Sequence, residues 1–260
     1  MDLLQTLREE SARFAALART LDPAARVPAC PEWSGADLVY HLAEVQDFWA
    51  QVAEGADGDS ARQLERPADD AELPAACEAA AARLVGALES ADPAAPAWSW
   101  HDGGGTIAWV VRRQAHEALV HRVDAELAAG VPVTAPPVDV ARDGVDELLT
   151  VMLDGVPSWG TLTLDGSVVR VAVPDGGPGL GDWTVRLGRF RGTGPESGRD
   201  FDLAAASVTA DDVPAGSTVT GDAWALDLWL WGRGELPTGA VDGDPALVER
   251  LRRTVADGTQ

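Results

Sequence analysis

The sequence predicts an α+β protein in which a bundle of four helices precedes a smaller domain of mixed strands and helices. Apolar residues recur at helical spacing through the first half of the chain, beginning with Leu3 and Leu7. From Trp159 onward they alternate with polar residues instead, which is the spacing of strands. We therefore expect a helical domain over residues 1–155 and an α+β domain over residues 156–260.

Four helices are predicted in the first domain, and the start of the second has the clearest signal. The hydroxyl of Ser34 is a good N-cap, and Asp37 follows three residues later in a near capping box. The first helix is expected to begin at Leu3 and to end at Leu21, before a proline. The third and fourth helices of the bundle are expected over residues 72–90 and 106–129, and one more helix, over residues 140–154, is expected to close the first domain. Short connections between such helices favour an antiparallel bundle.

In the second domain the segment from Thr161 to Val173 predicts two strands joined by a hairpin turn at Asp165-Gly166. Further strands are expected over residues 183–187 and 217–219. Helical spacing returns over residues 222–231 and 245–255.

The composition excludes several classes of partner. A net charge of −22 opposes binding to nucleic acid or to anionic lipid, both of which require a basic surface. No stretch approaches the ~20 apolar residues of a membrane span. Cys30 and Cys77 are too few for a disulfide framework, so a cytoplasmic location is expected. The absence of lysine and asparagine indicates a GC-rich genome, such as that of an actinobacterium, with salt adaptation as the competing explanation of the acidity.

One histidine-rich segment can form a metal site. Glu117 and His121 are four residues apart on the fourth predicted helix, so their side chains share one face. His41 lies on the apolar stripe of the second helix and can complete a His-Glu-His set. Three protein ligands with an open fourth position are typical of catalytic zinc. The residues alone support a metal site no more strongly than they support a hydrogen-bonded core histidine at position 41 and a solvated Glu–His pair on the fourth helix. Both interpretations stay open.

The neighbouring residues allow further expectations. His116 lies about 140° around the helix from His121, so we expect it to pack near the site rather than to bind the same ion. Arg113 is one turn before Glu117 and can pair with that carboxylate or meet an anionic ligand. Asp124 can orient the imidazole of His121 or lie on the helix surface.

Three motifs carry a resemblance to a known family. The segment from Val27 to Trp33, with Asp37 to Leu42 after it, resembles the opening of the mycothiol-dependent maleylpyruvate isomerase family. Arg112 to Asp124 resembles the metal-binding helix of that family, and Gly221 to Arg233 is similar to part of its carboxy-terminal domain. The resemblance implies a DinB-like four-helix bundle followed by a sterol-carrier-like α+β domain.

The same resemblance implies a function. His41, Glu117 and His121 would hold a divalent metal, usually zinc, and mycothiol would be the thiol cofactor. Arg113 is the candidate cofactor-binding residue. Arg233 matches an arginine that takes part in the family's activity, although it can equally cap the preceding helix. A metal-activated thiolate would then carry out cis-trans isomerisation or S-transfer on a small electrophile.

Two other functions remain open at this point. The metal could activate water in a hydrolase, or the chain could be a non-catalytic small-molecule-binding module. For the second, Trp224, Trp229 and Trp231 could line an apolar cleft or pack in the core. The glycine run 103–105 lacks the lysine and hydroxyl residue of a phosphate loop, so nucleotide binding is not expected. We expect a monomer or a small homo-oligomer.

Overall fold

The structure, a computed structural model, describes residues 1–101, 104–174 and 182–258; Gly103 of the glycine run lies outside them. The chain divides into two compact units, Met1–Thr134 and Ala135–Gln260. Helix α5, Val138–Glu147, belongs to the second of these units. The sequence placed this segment in the first domain, with the boundary at residue 155, because its helical spacing continues that of the bundle.

The first unit contains the four predicted helices. They are α1 (Leu3–Ala18), α2 (Gly35–Ala53), α3 (Leu73–Ser90) and α4 (Ile107–Ala128). A single 3-10 turn, Asp70–Glu72, leads into α3. Because α1 and α2 each pack against both α3 and α4, the unit is a four-helix bundle.

Side-chain caps fix where the two central helices begin. The Ser34 hydroxyl accepts a hydrogen bond from the backbone N–H of Asp37 at 3.2 Å, and Asp37 Oδ2 accepts one from the backbone N–H of Ser34 at 3.0 Å. The predicted capping box of α2 is therefore confirmed. Thr106 caps α4 in the same way, with its hydroxyl 3.2 Å from the backbone nitrogen of Trp109.

Helix α4 is buried around most of its circumference, including its polar residues. Arg122 has no exposed surface. Its Nε donates to Glu10 Oε2 at 2.6 Å, and its Nη1 donates to Glu126 Oε2 at 2.5 Å and to the carbonyl of Thr134 at 2.8 Å. These bonds join α1, α4 and the segment that follows α4. They satisfy charges that would otherwise destabilise the bundle.

The second unit is an α+β fold built on one five-stranded sheet with the order β3-β2-β1-β4-β5. Strands β1 and β4 run parallel, and the other neighbouring pairs run antiparallel. The strands are β1 (Gly160–Ala172), β2 (Asp182–Thr193), β3 (Asp200–Thr209), β4 (Ser217–Thr220) and β5 (Val241–Gly243). Helix α5 continues into a π-helical segment, Leu148–Leu153, and the unit also contains α6 (Ala223–Trp231) and α7 (Pro245–Gly258).

The predicted hairpin at Asp165-Gly166 is wrong. Residues 160–172 form the single strand β1, which pairs with β2 on both sides of an irregularity between Leu164 and Val168. Gly166 has a φ of +87°, so the Asp-Gly pair supplies the left-handed residue of a bulge instead of a turn. The strands β3 and β5 were not predicted.

The core of the second unit lies between the sheet and its helices. Trp229 is 6% exposed and belongs to this core, and Trp224 and Trp231 pack against it. Core packing therefore accounts for the tryptophan-rich helix α6. Among the described residues, every helix is too short or too polar to cross a bilayer.

Candidate metal centre

Two helices of the bundle bring His41, Glu117 and His121 together. Glu117 Oε1 lies 3.5 Å from His41 Nε2 and 3.1 Å from His121 Nε2. One candidate ligand atom from each of the three residues lies within 4.8 Å of the others. In the part of the chain that the structure describes, these three residues form the group of potential metal-binding side chains that lies close enough together to hold one ion.

The three side chains differ in exposure. His41, on α2, is 30% exposed, whereas Glu117 and His121, on α4, are 16% and 9% exposed. The cluster therefore sits within the bundle and opens towards solvent on the side of His41. His116 is 2% exposed and lies outside the cluster, in keeping with its angular position on α4.

Glu117 is held as a carboxylate. Burial opposes its ionisation, but the nearby His121 and Arg113 more than compensate and hold the pKa of Glu117 well below its ordinary value. Arg113 Nη2 donates to Glu117 Oε2 at 2.5 Å, and Arg113 itself is 4% exposed. Of the roles that the sequence left open for Arg113, the structure shows the pairing with Glu117.

His121 is bonded at both ring nitrogens. Its Nδ1 lies 3.0 Å from Asp124 Oδ2, and Asp124 has no exposed surface. Burial lowers the pKa of His121, but Glu117 and Asp124 outweigh it and raise the pKa to about 9. Of the two roles that the sequence left open for Asp124, the structure supports the orientation of the imidazole. A cation that binds here must displace the proton on Nε2.

Trp33 covers both imidazoles and was not predicted as part of the site. Its ring centroid lies 4.6 Å from that of His41 and 6.1 Å from that of His121. Trp33 belongs to the loop before α2, and the capping box at Ser34 places it there. Trp33 is the last residue of the motif that begins at Val27, so the sequence did single it out. Nothing in the local sequence indicated which rings Trp33 would contact.

The donor set fits a divalent cation. Two imidazole nitrogens and one carboxylate oxygen are zinc ligands, and a count of three is that of catalytic sites. Asp124 also supplies the carboxylate behind a ligating histidine that metal sites commonly use. Three features therefore coincide: ligand type, ligand number and an oriented imidazole.

Arg233 lies in the second unit, just after α6. Gly232 has a φ of +80°, and the backbone N–H groups of Gly232 and Arg233 close the helix end as in a Schellman motif. Arg233 Nη1 donates to the carbonyl of Trp231 at 2.6 Å. The helix-capping interpretation of Arg233 thus has direct geometric support.

Two family models together match most of the chain. The family model described as the mycothiol maleylpyruvate isomerase N-terminal domain matches residues 4–126. The model described as the MDMPI C-terminal domain matches residues 139–250. No curated protein sequence matches the chain.

Two solved structures share the fold. A crystal structure of the mycothiol-dependent maleylpyruvate isomerase is 13% identical, with a TM-score of 0.58, over 93% of this chain and 92% of that one. A histidine-to-alanine variant of that isomerase is also 13% identical, with a TM-score of 0.57, over 91% of this chain and 95% of that one.

Proposed function

The chain belongs to the mycothiol maleylpyruvate isomerase family, and from this membership we propose that it is a metal- and mycothiol-dependent enzyme acting on a small electrophile. The observation that carries the proposal is the convergence of His41, Glu117 and His121 within 4.8 Å. We assign these three residues as ligands of a divalent cation, preferably zinc.

The bound groups would supply one kind of chemistry. A cation lowers the pKa of a coordinated thiol, and the resulting thiolate can add to a cis double bond and leave after rotation, or displace a leaving group that departs with its electron pair. The first outcome regenerates the thiol and isomerises the substrate, and the second gives a thioether.

The chain's own residues prepare the site for this chemistry. His121 and Arg113 together hold the pKa of Glu117 well below its ordinary value, which keeps a carboxylate that can bind a cation. Asp124 lies within hydrogen-bonding distance of Nδ1 of His121 and can accept its Nδ1–H, so that Nε2 would present its lone pair to a cation once its own proton is displaced. Trp33 packs on both imidazoles and excludes water from one side of them. Arg113 also remains our candidate for contact with the thiol cofactor.

We include Arg233 as the candidate catalytic arginine, which would bind an anionic group of the substrate. A guanidinium presents a planar fork to a carboxylate, whereas an ammonium does not. Arg233→Lys keeps a cation at the end of α6 and therefore keeps the capping role. A raised KM with unchanged thermal stability supports contact with the substrate, and unchanged kinetics supports capping alone.

The test is an activity assay with purified protein, mycothiol and a panel of electrophiles, in the presence and absence of a chelator. Product masses distinguish an isomer from a thioether. We expect activity that requires both metal and thiol, that is lost in His41→Ala, and that is retained in His101→Ala, a matched loss of a histidine outside the triad. Activity without thiol would instead indicate a hydrolase, and inactivity with every electrophile would indicate a binding module.

A further inference from the structure

A cavity of about 320 Å³ lies in the first unit between α2 and the loop that follows it. His41 is among its lining residues, so the cavity adjoins the metal centre. Val45, Phe48, Trp49 and Ala61 form its apolar wall. A volume of about 300–1,000 Å³ with mostly apolar walls and a few polar groups is characteristic of small-molecule sites.

The wall is rigid. Trp49 is 5% exposed, and its ring centroid lies 5.4 Å from that of Phe48 and 5.9 Å from that of Trp98. Phe48 contacts the ring of Trp98 edge-on at 5.7 Å. Because these aromatic rings hold one another in place, the cavity does not depend on an induced rearrangement to keep its apolar wall.

The opposite side is a loop fixed to α2 by the side chain of Gln51. Gln51 Oε1 accepts a hydrogen bond from the backbone N–H of Arg62 at 2.9 Å, and Gln51 Nε2 donates to the carbonyl of Arg62 at 2.8 Å. Tyr40 anchors the same loop through a 2.7 Å bond from its hydroxyl to the carbonyl of Leu64. The backbone of Arg62 is thus held at the rim.

The cavity is lined by two charged side chains, Glu44 and Arg62, which differ in their partners. Glu44 Oε1 accepts a 2.6 Å hydrogen bond from Gln63 Nε2. The guanidinium of Arg62, by contrast, has no ion pair with any carboxylate among the residues that the structure describes. A guanidinium that no carboxylate neutralises, beside an apolar cavity, favours an anionic group on the ligand.

We propose that this cavity binds the aromatic body of the electrophilic substrate and that Arg62 binds a carboxylate on it. An apolar cavity of about 150 Å³ accommodates one benzene ring, so this cavity has room for about two fused rings. The inference rests on the proposed function, because His41 serves both the metal centre and the cavity wall. It narrows the substrate class to an aryl carboxylate that carries a reactive carbon.

The test measures binding of 2-naphthoate to the full-length, chelator-treated protein by calorimetry, with 2-naphthylmethanol and acetate as comparison ligands. We expect 2-naphthoate to bind and acetate to fail, because acetate lacks the apolar body. Arg62→Gln should raise the Kd of 2-naphthoate on the order of tenfold, since it removes a charge-assisted hydrogen bond. It should leave binding of 2-naphthylmethanol unchanged. Arg19→Gln, an equal charge change at the exposed residue that follows α1, should change neither.

Ala61→Phe fills the cavity and should abolish binding of both naphthyl ligands. Ala68→Phe makes the same substitution at an exposed position of the same loop and should leave binding intact. Unchanged 2-naphthoate binding in both Ala61→Phe and Arg62→Gln would overturn the inference. Arg62→Gln alters an exposed side chain, so the test stands even where Ala61→Phe prevents folding.

The two proposals can fail separately. Thiol-dependent activity on small electrophiles without any naphthoate binding would refute only the cavity. Naphthoate binding that Ala61→Phe abolishes, in a protein without thiol-dependent activity, would refute only the proposed reaction.

Discussion

Asp124 Oδ2 lies 3.0 Å from Nδ1 of His121, although Asp124 has no exposed surface. A buried carboxylate in this position fixes the orientation of the imidazole, and such partners of metal ligands commonly account for about 10–100-fold in metal affinity. The ring of His121 therefore already has the orientation in which Nε2 faces a bound cation.

We predict that Asp124→Asn lowers zinc affinity by about 10–100-fold while leaving the helical content unchanged. Competition with a chromophoric chelator measures the affinity. Asp59→Asn, an exposed position in the first unit, is the control and should have wild-type affinity. Equal affinities of the two variants would show that Asp124 does not act on the metal centre.

The second prediction concerns the buried charges around Arg122. Arg122→Met removes the buried cation that Glu10 and Glu126 share and leaves only the partly exposed Arg13, at 3.5 Å and 3.7 Å, to face these two carboxylates. Removing one partner of a buried ion pair lowers the free energy of unfolding by about 3–5 kcal/mol. Urea denaturation followed by circular dichroism measures the loss. Arg19→Met, which breaks only an exposed pair with Glu78, should cost less than about 1 kcal/mol.

A pair of glycine substitutions tests the packing of α5 on α6. A Cβ at Gly144 would lie 2.7 Å from Asp227 Oδ2, whereas a Cβ at Gly86 in α3 meets nothing within 4 Å. Alanine normally stabilises a helix interior by about 1 kcal/mol relative to glycine. We expect Gly86→Ala to raise the free energy of unfolding and Gly144→Ala to lower it by about 1–3 kcal/mol. Thermal or urea unfolding measures both, and a stabilising Gly144→Ala would contradict the close approach of α5 and α6.

The fourth prediction is a pH dependence of the first unit. The hydrogen bond from Arg66, with those from Ser34, lowers the pKa of Asp37 from 3.8 to about 2. A lowered pKa stabilises the folded state above the unfolded value, and this stabilisation disappears as the pH falls through about 2. The stability difference between wild type and Asp37→Asn should therefore be constant above about pH 5 and shrink between about pH 4 and pH 2.

Denaturation of both proteins across this pH range measures the difference. Arg66→Gln removes the hydrogen bond from Arg66, so in that background the folded pKa of Asp37 lies closer to 3.8, and the stability difference should be smaller and should disappear at a higher pH. A difference that stays constant down to pH 2 would show that Asp37 does not carry a lowered pKa.

The sequence predicted the four helices of the first unit well because their signals are local. A capping box at Ser34 and a four-residue spacing between Glu117 and His121 fix backbone start and side-chain direction within a few residues. Strand pairing depends on distant segments, and the same Asp165-Gly166 pair fits a hairpin or a bulge equally well. Only the pairing of β1 with β2 decides between them.

The remaining parts of the site depend on packing between helices. Trp33 contacts both imidazoles only because the loop before α2 lies over them. The rim position of Arg62 likewise follows from hydrogen bonds to Gln51, eleven residues earlier. Neither relationship has a periodic signature in the sequence.

The measurement that bears most directly on the account is the zinc content of the purified, zinc-loaded protein, determined by elemental analysis beside the His41→Ala/His121→Ala double variant and His101→Ala. We predict stoichiometric zinc in the wild type and in His101→Ala, and none in the double variant, with helical content preserved in all three. Stoichiometric zinc retained by the double variant would contradict the assignment of the metal centre.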